Sequence, residues 1–332
     1  MSLLWVDGFE GYGPSGDPTT LLGYRGYGTS QTNHSSITTG RITGYCISAN
    51  DIYSPGFSTP SLTINPTLIA GIAFKLNNGY ITIQFMDNTI NGIGVTINQT
   101  SIVIKLGTTT ISTTSLTLTT LTWFYAEVKV FCHATAGTVE VRLNGSTIVS
   151  LTGINTKNSY DDYNNVIYTE LHYAWLDDYY ICDGSGLTVN DFQGFCRVVG
   201  LLPNADTLTE QWSTSTGTDH YALVDENPPN TTDYVYSGTQ GQTDLYIYPP
   251  LPAAIGPIIG LQVATQSKVF SGTGAIVEAP ITSYGVTDAG TDAIVKSTTY
   301  SDMRRISITD PSTGLPWTAA GLSAAQIGIK VM

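Results

Sequence analysis

Tyr173-Ala174-Trp175-Leu176-Asp177-Asp178-Tyr179-Tyr180-Ile181-Cys182-Asp183-Gly184 is the stretch on which the fold turns. It offers a strand matching the opening of the chain, Trp5-Val6-Asp7-Gly8-Phe9-Glu10-Gly11-Tyr12, and only alternating strand patterns lie between the two. A chain that opens and closes a β-sandwich with adjacent strands makes one sealed module. The two segments are therefore expected to pair, and the residues after Gly184 to form a separate unit.

Working outward, Leu68 to Leu76 and Tyr80 to Met86 are apolar runs separated by Asn77-Asn78-Gly79. Asn-Gly between such runs predicts a hairpin. Gly92 to Ile97 and Ile102 to Leu106 predict a second one around Asn98 to Ser101. The Thr-rich stretch Thr108 to Thr122 reads as a strand and edge loop, because Thr suits strands and Ile111, Leu116, Leu118 and Leu121 recur through it. Trp123 to Phe131 alternates, with Tyr125, Glu127 and Lys129 opposite Phe124, Ala126, Val128 and Val130. In Thr138 to Val149 the polar Glu140 and Arg142 share one face while Val139, Val141 and Leu143 point inward.

The first helical candidate is the short Asn190 to Phe195. Beyond it, Pro203 to Trp212 and Asp225 to Asn230 read as irregular, the latter because consecutive prolines forbid regular structure. Strand signals resume at Leu245 to Tyr248, Ile258 to Thr265, Ala275 to Val277, Arg304 to Ile308 and Ile327 to Val331, with a one-turn helix at Ser323 to Gln326. The expectation is an all-β chain: a sandwich over 1–185, a connecting segment over 186–235, and a second, smaller β-sandwich over 236–332 that serves assembly or contact.

Composition narrows the function. Charged residues make up 12% of the 332 positions and the net charge is −13, so the long-range field repels nucleic acid and anionic membranes. Met1 to Val6 has neither a basic start nor a long apolar core, so no secretory leader is expected. Leu251 to Val263 is too short, and too broken by Pro252, Gly256 and Pro257, to span a bilayer. Cys46, Cys132, Cys182 and Cys196 form no CxxC pair and have no His at zinc spacing. They read as buried thiols, with a Cys182 to Cys196 bridge as the alternative.

The pattern from 1 to 185 resembles the concanavalin A-like (laminin G-like) jelly roll, on the aromatic-led strand Trp123 to Val130, the Leu143-Asn144-Gly145 turn and the late acidic pair Asp177-Asp178. A longer combination resembles a family of tailed-bacteriophage and prophage virion proteins. It joins Asp7-Gly8-Phe9-Glu10, Leu176 to Gly184, Asn190-Asp191-Phe192-Gln193-Gly194, Val224 to Pro229, Asp233-Tyr234-Val235, Asp310 to Thr318 and Gly328 to Val331. The resemblance implies a non-enzymatic structural component of a virion, exposed on head or tail as a decoration, fibre or adhesin. It would assemble in the bacterial host cytoplasm and act through packing with other virion proteins, as a homo-oligomer by viral symmetry. The alternative is a host-surface glycan-binding, lectin-like module.

The search for chemistry agrees with the absence of catalysis. Laminarinase-type hydrolases need Glu-x-Asp-x-x-Glu on one strand, with carboxylates about 5 Å apart, and Glu127, Glu140 and Glu170 each stand alone. No Gly-x-Ser-x-Gly elbow occurs, and His34, His133, His172 and His220 lack ligand spacing. Asp177 and Asp178, adjacent in a strand, are expected on opposite faces. One of them could join Asp7 or Asp183 in a calcium site, giving Asp7, Asp178 and Asp183 as candidate ligands, or these acids cap turns and pair with Arg. Tyr160, Tyr163, Tyr168 and Tyr173 form the candidate contact surface. Such tyrosines stack on sugars, pack against a sister subunit, or fill the outer face of an ordinary strand.

Overall fold

The computed structural model describes residues 2–332 apart from 15–16, 31, 50–52, 54, 64, 88–89, 158–164, 253–255, 272–273, 291–292 and 296–297. The chain divides into two units, Met1–Val198 and Val199–Met332. In the first unit the elements are β1 (Leu3–Asp7), α1 (Pro18–Tyr24), β2 (Gly28–Ser30), β3 (Ser35–Thr39), β4 (Tyr45–Ala49), β5 (Gly56–Ser58), β6 (Thr67–Asp87), β7 (Ile90–Asn98), β8 (Ser101–Leu106), β9 (Thr109–Ser115), β10 (Trp123–Phe131), β11 (Gly137–Leu143), β12 (Ser146–Ile154) and β13 (Val166–Asp183). Pairing follows the order β12-β11-β10-β6-β13-β4-β3, with β1 and β5 also on β13, β2 on β5, and β7-β8-β9 running off β6. The expected pairing of the two ends holds: Trp5 lies opposite Ile181 and Asp7 opposite Tyr179.

Two strands organise this unit. In β6 the inward side chains are Leu68, Ala70, Ile72, Phe74 and Leu76, then Ile81, Ile83 and Phe85. Their parity changes across Asn77-Asn78-Gly79. At that point the register with β13 slips between Leu76↔Ala174 and Tyr80↔His172, with Asn78 at φ 56° and Tyr173 at φ 45°. The expected hairpin is thus a bulge inside one 21-residue strand. Both halves find their partner in β13, so the chain bends instead of folding back on itself. The first half also pairs with β10 and the second with β7. Strands that bend through bulges pass from one layer of a sandwich to the other, and inward residues of both halves share one core with Ile104, Val128 and Val141. The first unit is all-β and sandwich-like.

A second slip in β13, between Asp177↔Ala73 and Tyr180↔Gly71, places Asp178 at φ 50°. Asp tolerates this left-handed conformation better than most side chains. The Asn190 to Phe195 segment is not helical; it lies across the outer side of β10. Buried Glu127 Oε1 accepts from the Gln193 and Gly194 amides (2.9 and 2.8 Å) and from Tyr180 Oη (2.5 Å). Lys129 binds Asp191 at 2.8 Å, and both Lys129 and Arg142 sit over the Phe192 ring. Tyr125 and Glu127 are therefore buried although they face away from the core. The Asn98 turn holds, its side chain accepting from the Thr100 and Ser101 amides, whereas Pro18–Tyr24, where only strands are expected, forms helix α1, capped by Asp17 accepting from the Thr19 and Thr20 amides.

The second unit holds β14 (Ala205–Glu210), β15 (Ser213–Thr214), β16 (Val235–Tyr236), β17 (Thr243–Ile247), β18 (Leu261–Ser267), β19 (Ala275–Glu278), β20 (Ile281–Ser283), β21 (Val286–Asp288), β22 (Ala293–Val295), β23 (Ser301–Ser307), α2 (Ala319–Ser323) and β24 (Gln326–Val331). Its main sheet runs β14-β17-β24-β19-β22, with β20 on β24 and β21 on β20. Residues 205–210, read from sequence as irregular, form a strand whose pairing with β17 is itself interrupted between Asp206 and Glu210. The last helix begins earlier than expected because Thr318 caps it, accepting from the Gly321 amide. Asp244, fully buried, ties in the preceding loop: Oδ1 accepts from the Gln211 and Trp212 amides and Oδ2 meets His220 Nδ1, each at 2.7 Å. No helix among the described residues is long and apolar enough to cross a membrane.

Candidate functional site

The acidic residues named as candidate calcium ligands are each engaged by partners within the chain. Asp7 accepts from the Phe9 amide (2.8 Å), Tyr12 Oη (3.1 Å) and Tyr27 Oη (3.2 Å). Asp183 accepts from the backbone and hydroxyl of Ser185. Asp178 holds Arg41 Nε at 2.7 Å and the Val198 amide at 2.7 Å. Among the described residues no group of three His, Cys, Asp or Glu side chains is placed to hold a metal.

The bulge at Asp178 changes the expected geometry of the acidic pair. Instead of pointing to opposite faces, both carboxylates meet the same residue: Asp177 Oδ2 accepts from the Arg41 amide (2.6 Å) while Asp178 takes its guanidinium. Glu10 joins them, accepting from the Tyr45 amide at 3.2 Å. Burial pushes the Glu10 carboxyl up to about 7, against the Tyr45 bond, with Asp178 adding to the rise. Burial also raises Asp177, helped by the charge of Asp178, and raises Asp178 in spite of Arg41. This corner is a packed structural junction in which the charges are committed to one another.

A different arrangement lies on the outward side of the β8-β7-β6-β13 sheet. Since Ile81, Ile83 and Phe85 face the core, strand alternation sends Tyr80, Thr82 and Gln84 outward. The register sets Tyr80 against His172, Thr82 against Glu170 and Gln84 against Tyr168. Across the next pair, Thr82 faces Thr96 and Gln84 faces Gly94, and Gly94 in turn faces Lys105. Of these, Tyr80, Thr82, Gln84, Gly94, Thr96, Lys105 and Glu170 line a cleft of about 360 Å³, outside which His172 and Tyr168 stand. Tyr80, Thr82, Gln84, Thr96 and Glu170 are half-buried and Lys105 is exposed.

The side chains of the cleft hold one another in place. Tyr80 Oη donates to Glu170 Oε1 at 2.8 Å, and its ring stacks on His172 with centroids 5.0 Å apart. The Thr82 and Thr96 hydroxyls are hydrogen-bonded at 2.9 Å, and Gln84 Nε2 donates to the Gly92 carbonyl at 3.1 Å. Tyr168 reaches over Gly56 of β5, where any Cβ would collide with the outer end of its ring. Burial raises the Tyr168 phenol, with Glu170 adding to the rise. Aromatic faces beside hydroxyl, amide and carboxylate groups suit a ligand that is apolar on its ring faces and polar at its edges. The Tyr80–Glu170 contact also puts a phenol and a carboxylate within proton-transfer distance.

Of the tyrosines named from sequence, Tyr168 is beside this cleft, and Tyr173 packs edge-on to His172 at 4.9 Å from the bulge. Tyr160 and Tyr163 lie outside the described residues. Sequence reading passes over Tyr80 and Lys105 and sets aside Glu170 and His172 as isolated residues. The signal was present as Tyr168-x-Glu170-x-His172 and Tyr80-x-Thr82-x-Gln84, two polar stripes at strand period. A second cleft, of about 410 Å³, lies in the second unit between Thr209, Gln211, Thr243, Thr282, Thr287 and Lys330. It has no aromatic wall, and its lysine is paired with Glu278 at 3.2 Å.

No protein-family model and no curated protein sequence matches this chain. Among solved structures it is similar to alginate lyase Aly36B, at 10% identity over 54% of this chain and 96% of that one, with a TM-score of 0.41. It is similar to an endo-β-1,4-glucuronan lyase from the fungus Trichoderma reesei, at 10% identity over 47% and 90%, with a TM-score of 0.37. It is also similar to the Lotus tetragonolobus seed lectin, at 10% identity over 47% and 90%, with a TM-score of 0.33. Two of these structures are enzymes, and the expectation of a chain without enzyme activity is corrected accordingly. The motifs found missing belong to hydrolases and serine acyl transfer.

Proposed function

We propose that the outward cleft of the first unit is a saccharide-binding site. One observation carries this reading: the half-buried Tyr80 ring, backed by His172, stands in the cleft beside Glu170, Gln84, Thr82 and Thr96. Sugar rings stack on such faces through their C–H groups, while their hydroxyls exchange hydrogen bonds with the neighbouring polar groups. Tyr80, backed by His172, forms the platform, Glu170 and Gln84 orient the ring, and the Thr pair forms the floor. A glycan array probed with the whole chain is expected to give saturable binding that Tyr80→Ala weakens about thirtyfold. Saturable binding of unchanged affinity in this variant would move the site elsewhere.

A second reading concerns the setting in which this face is displayed. The sequence motifs resembling phage virion proteins occur in both units, and those near Asp178 and Asp191 form structural junctions of the fold. A particle-borne adhesin accommodates both this resemblance and the cleft. Immunogold labelling of intact particles is expected to decorate head or tail, and unlabelled particles would reject the setting while leaving the cleft untouched.

A further inference from the structure

We infer that the saccharide taken by this cleft carries an anionic group, a carboxylate or a sulfate, and that Lys105 receives it. This inference rests on the saccharide reading and specifies its ligand class.

The described cations other than Lys105 are engaged within the chain, Arg25 over the Tyr12 ring and Arg197 with the Thr43 hydroxyl among them. Arg41, Lys129, Arg142, Arg304, Arg305 and Lys330 each have a carboxylate partner. Lys75 lies over Trp123 and Trp175, and Lys268 over Tyr300. Lys105 has neither a carboxylate nor a ring partner among the described residues. This is notable in a chain with 26 acidic and 13 basic residues, where a carboxylate partner is the easier one to supply.

Its surroundings leave the ammonium accessible. Its cross-strand neighbour on one side is Gly94, and on the other Thr110 of the edge strand. Gly107, which also lines the cleft, has open space where a side chain would stand. A compact ammonium with three donors and no partner suits a monodentate or loosely held oxyanion.

The anion must be kept away from Glu170, and the sheet provides that separation. Lys105 is on β8 and Glu170 on β13, with β7 and β6 between them. Three inter-strand steps amount to about 14 Å. One end of the cleft therefore meets a charged ring and the other a neutral one, whose hydroxyls reach Glu170. The net charge of −13 further disfavours a densely charged polyanion. The ligand class is an oligosaccharide in which an acidic ring has neutral space beside it.

The test is an array that pairs uronate oligosaccharides with their carboxyl-reduced counterparts and sulfated ones with their desulfated counterparts, and includes heparin as a dense polyanion. The whole chain and its Lys105→Gln variant are compared, and bound members are followed by calorimetry. The expected result is that acidic members bind on the order of tenfold more tightly than their neutral counterparts. Lys105→Gln should erase that difference while leaving the melting temperature unchanged. The pairs that respond distinguish carboxylate from sulfate. Equal binding of acidic and neutral members, or a preference that persists in Lys105→Gln, would overturn the inference while the saccharide reading stands. Strongest binding to heparin would overturn the sparse-charge class. No binding to any member would reject the saccharide reading, and this inference with it.

Discussion

The corner around Asp178 and the cleft around Tyr80 are both polar patches built on β13, yet they spend their hydrogen bonds differently. At the corner Asp177 and Asp178 meet the backbone and side chain of Arg41, and each of these acids is nearly inaccessible. In the cleft Tyr80, Glu170, Thr82 and Thr96 bond to one another but stay half-exposed, and Lys105 bonds to nothing described. Polar groups saturated by their own chain hold the fold, because an unmade buried bond is expensive. Groups with capacity turned outward are available to a ligand. Acidity alone does not distinguish the two regions; where the remaining lone pairs and donors point does.

The sharpest way to break this distinction is to damage each region and read both stability and binding. Arg41→Ala leaves Asp178 buried without its partner, which costs about 3–5 kcal/mol. The melting temperature should fall by about 10 °C, with saccharide affinity preserved at temperatures where the protein is folded. Thermal unfolding followed by circular dichroism measures the first effect and calorimetric titration the second. Tyr80→Ala should do the reverse. Removal of a central aromatic costs about 2 kcal/mol of binding, roughly thirtyfold in Kd, and a half-exposed side chain contributes little to melting. If Tyr80→Ala unfolds the unit, the cleft is structural after all.

The corner should also reveal itself through pH. Glu10, with its carboxyl near 7, and the raised Asp177 and Asp178 keep protons in the folded state that the unfolded chain releases above the ordinary carboxylate range. With fewer protons bound when unfolded, stability falls as pH rises. The corner's contribution is expected to be constant below about pH 4 and to decline from there to above pH 7, so the melting temperature should fall across that window. Glu10→Gln keeps an oxygen for the Tyr45 amide and removes part of that slope. A melting temperature that rises across this window would contradict the protonation assigned to the corner.

Smaller effects sharpen the contrast. Gly56→Ala forces Tyr168 off its seat and should weaken saccharide binding severalfold at modest cost in stability. Asp191→Ala removes an exposed partner of Lys129, its own side chain being 62% accessible. Such pairs contribute about 0–1 kcal/mol, so neither melting nor binding should change appreciably.

Sequence made much of this architecture legible because strand alternation is a local signal. The pairing of Trp5 to Asp7 with Tyr179 to Ile181, the inward faces of β10 and β11, and the turn at Asn98 all follow from two-residue periodicity and turn chemistry. The Asn77-Asn78-Gly79 segment was misread because the same residues serve a hairpin or a bulge. What decides between them is a partner strand some ninety residues away in sequence. The parity change from Leu76 to Ile81 was nevertheless visible. Asp177 and Asp178 were assigned opposite faces for the same reason: a bulge at Asp178 is set by its register against Ala73 and Gly71. The cleft was harder still. Its Tyr, Thr, Glu and Lys belong to four strands, and only their register makes them neighbours.

The most direct test of the account is a calorimetric titration of the strongest array ligand into the wild-type chain and into Tyr80→Ala, with melting temperatures recorded for both. The account predicts saturable binding by the wild type and a loss of about thirtyfold in the variant, with superimposable melting curves. Equal affinity in the two proteins, or no saturable binding by the wild type to any array member, would contradict it.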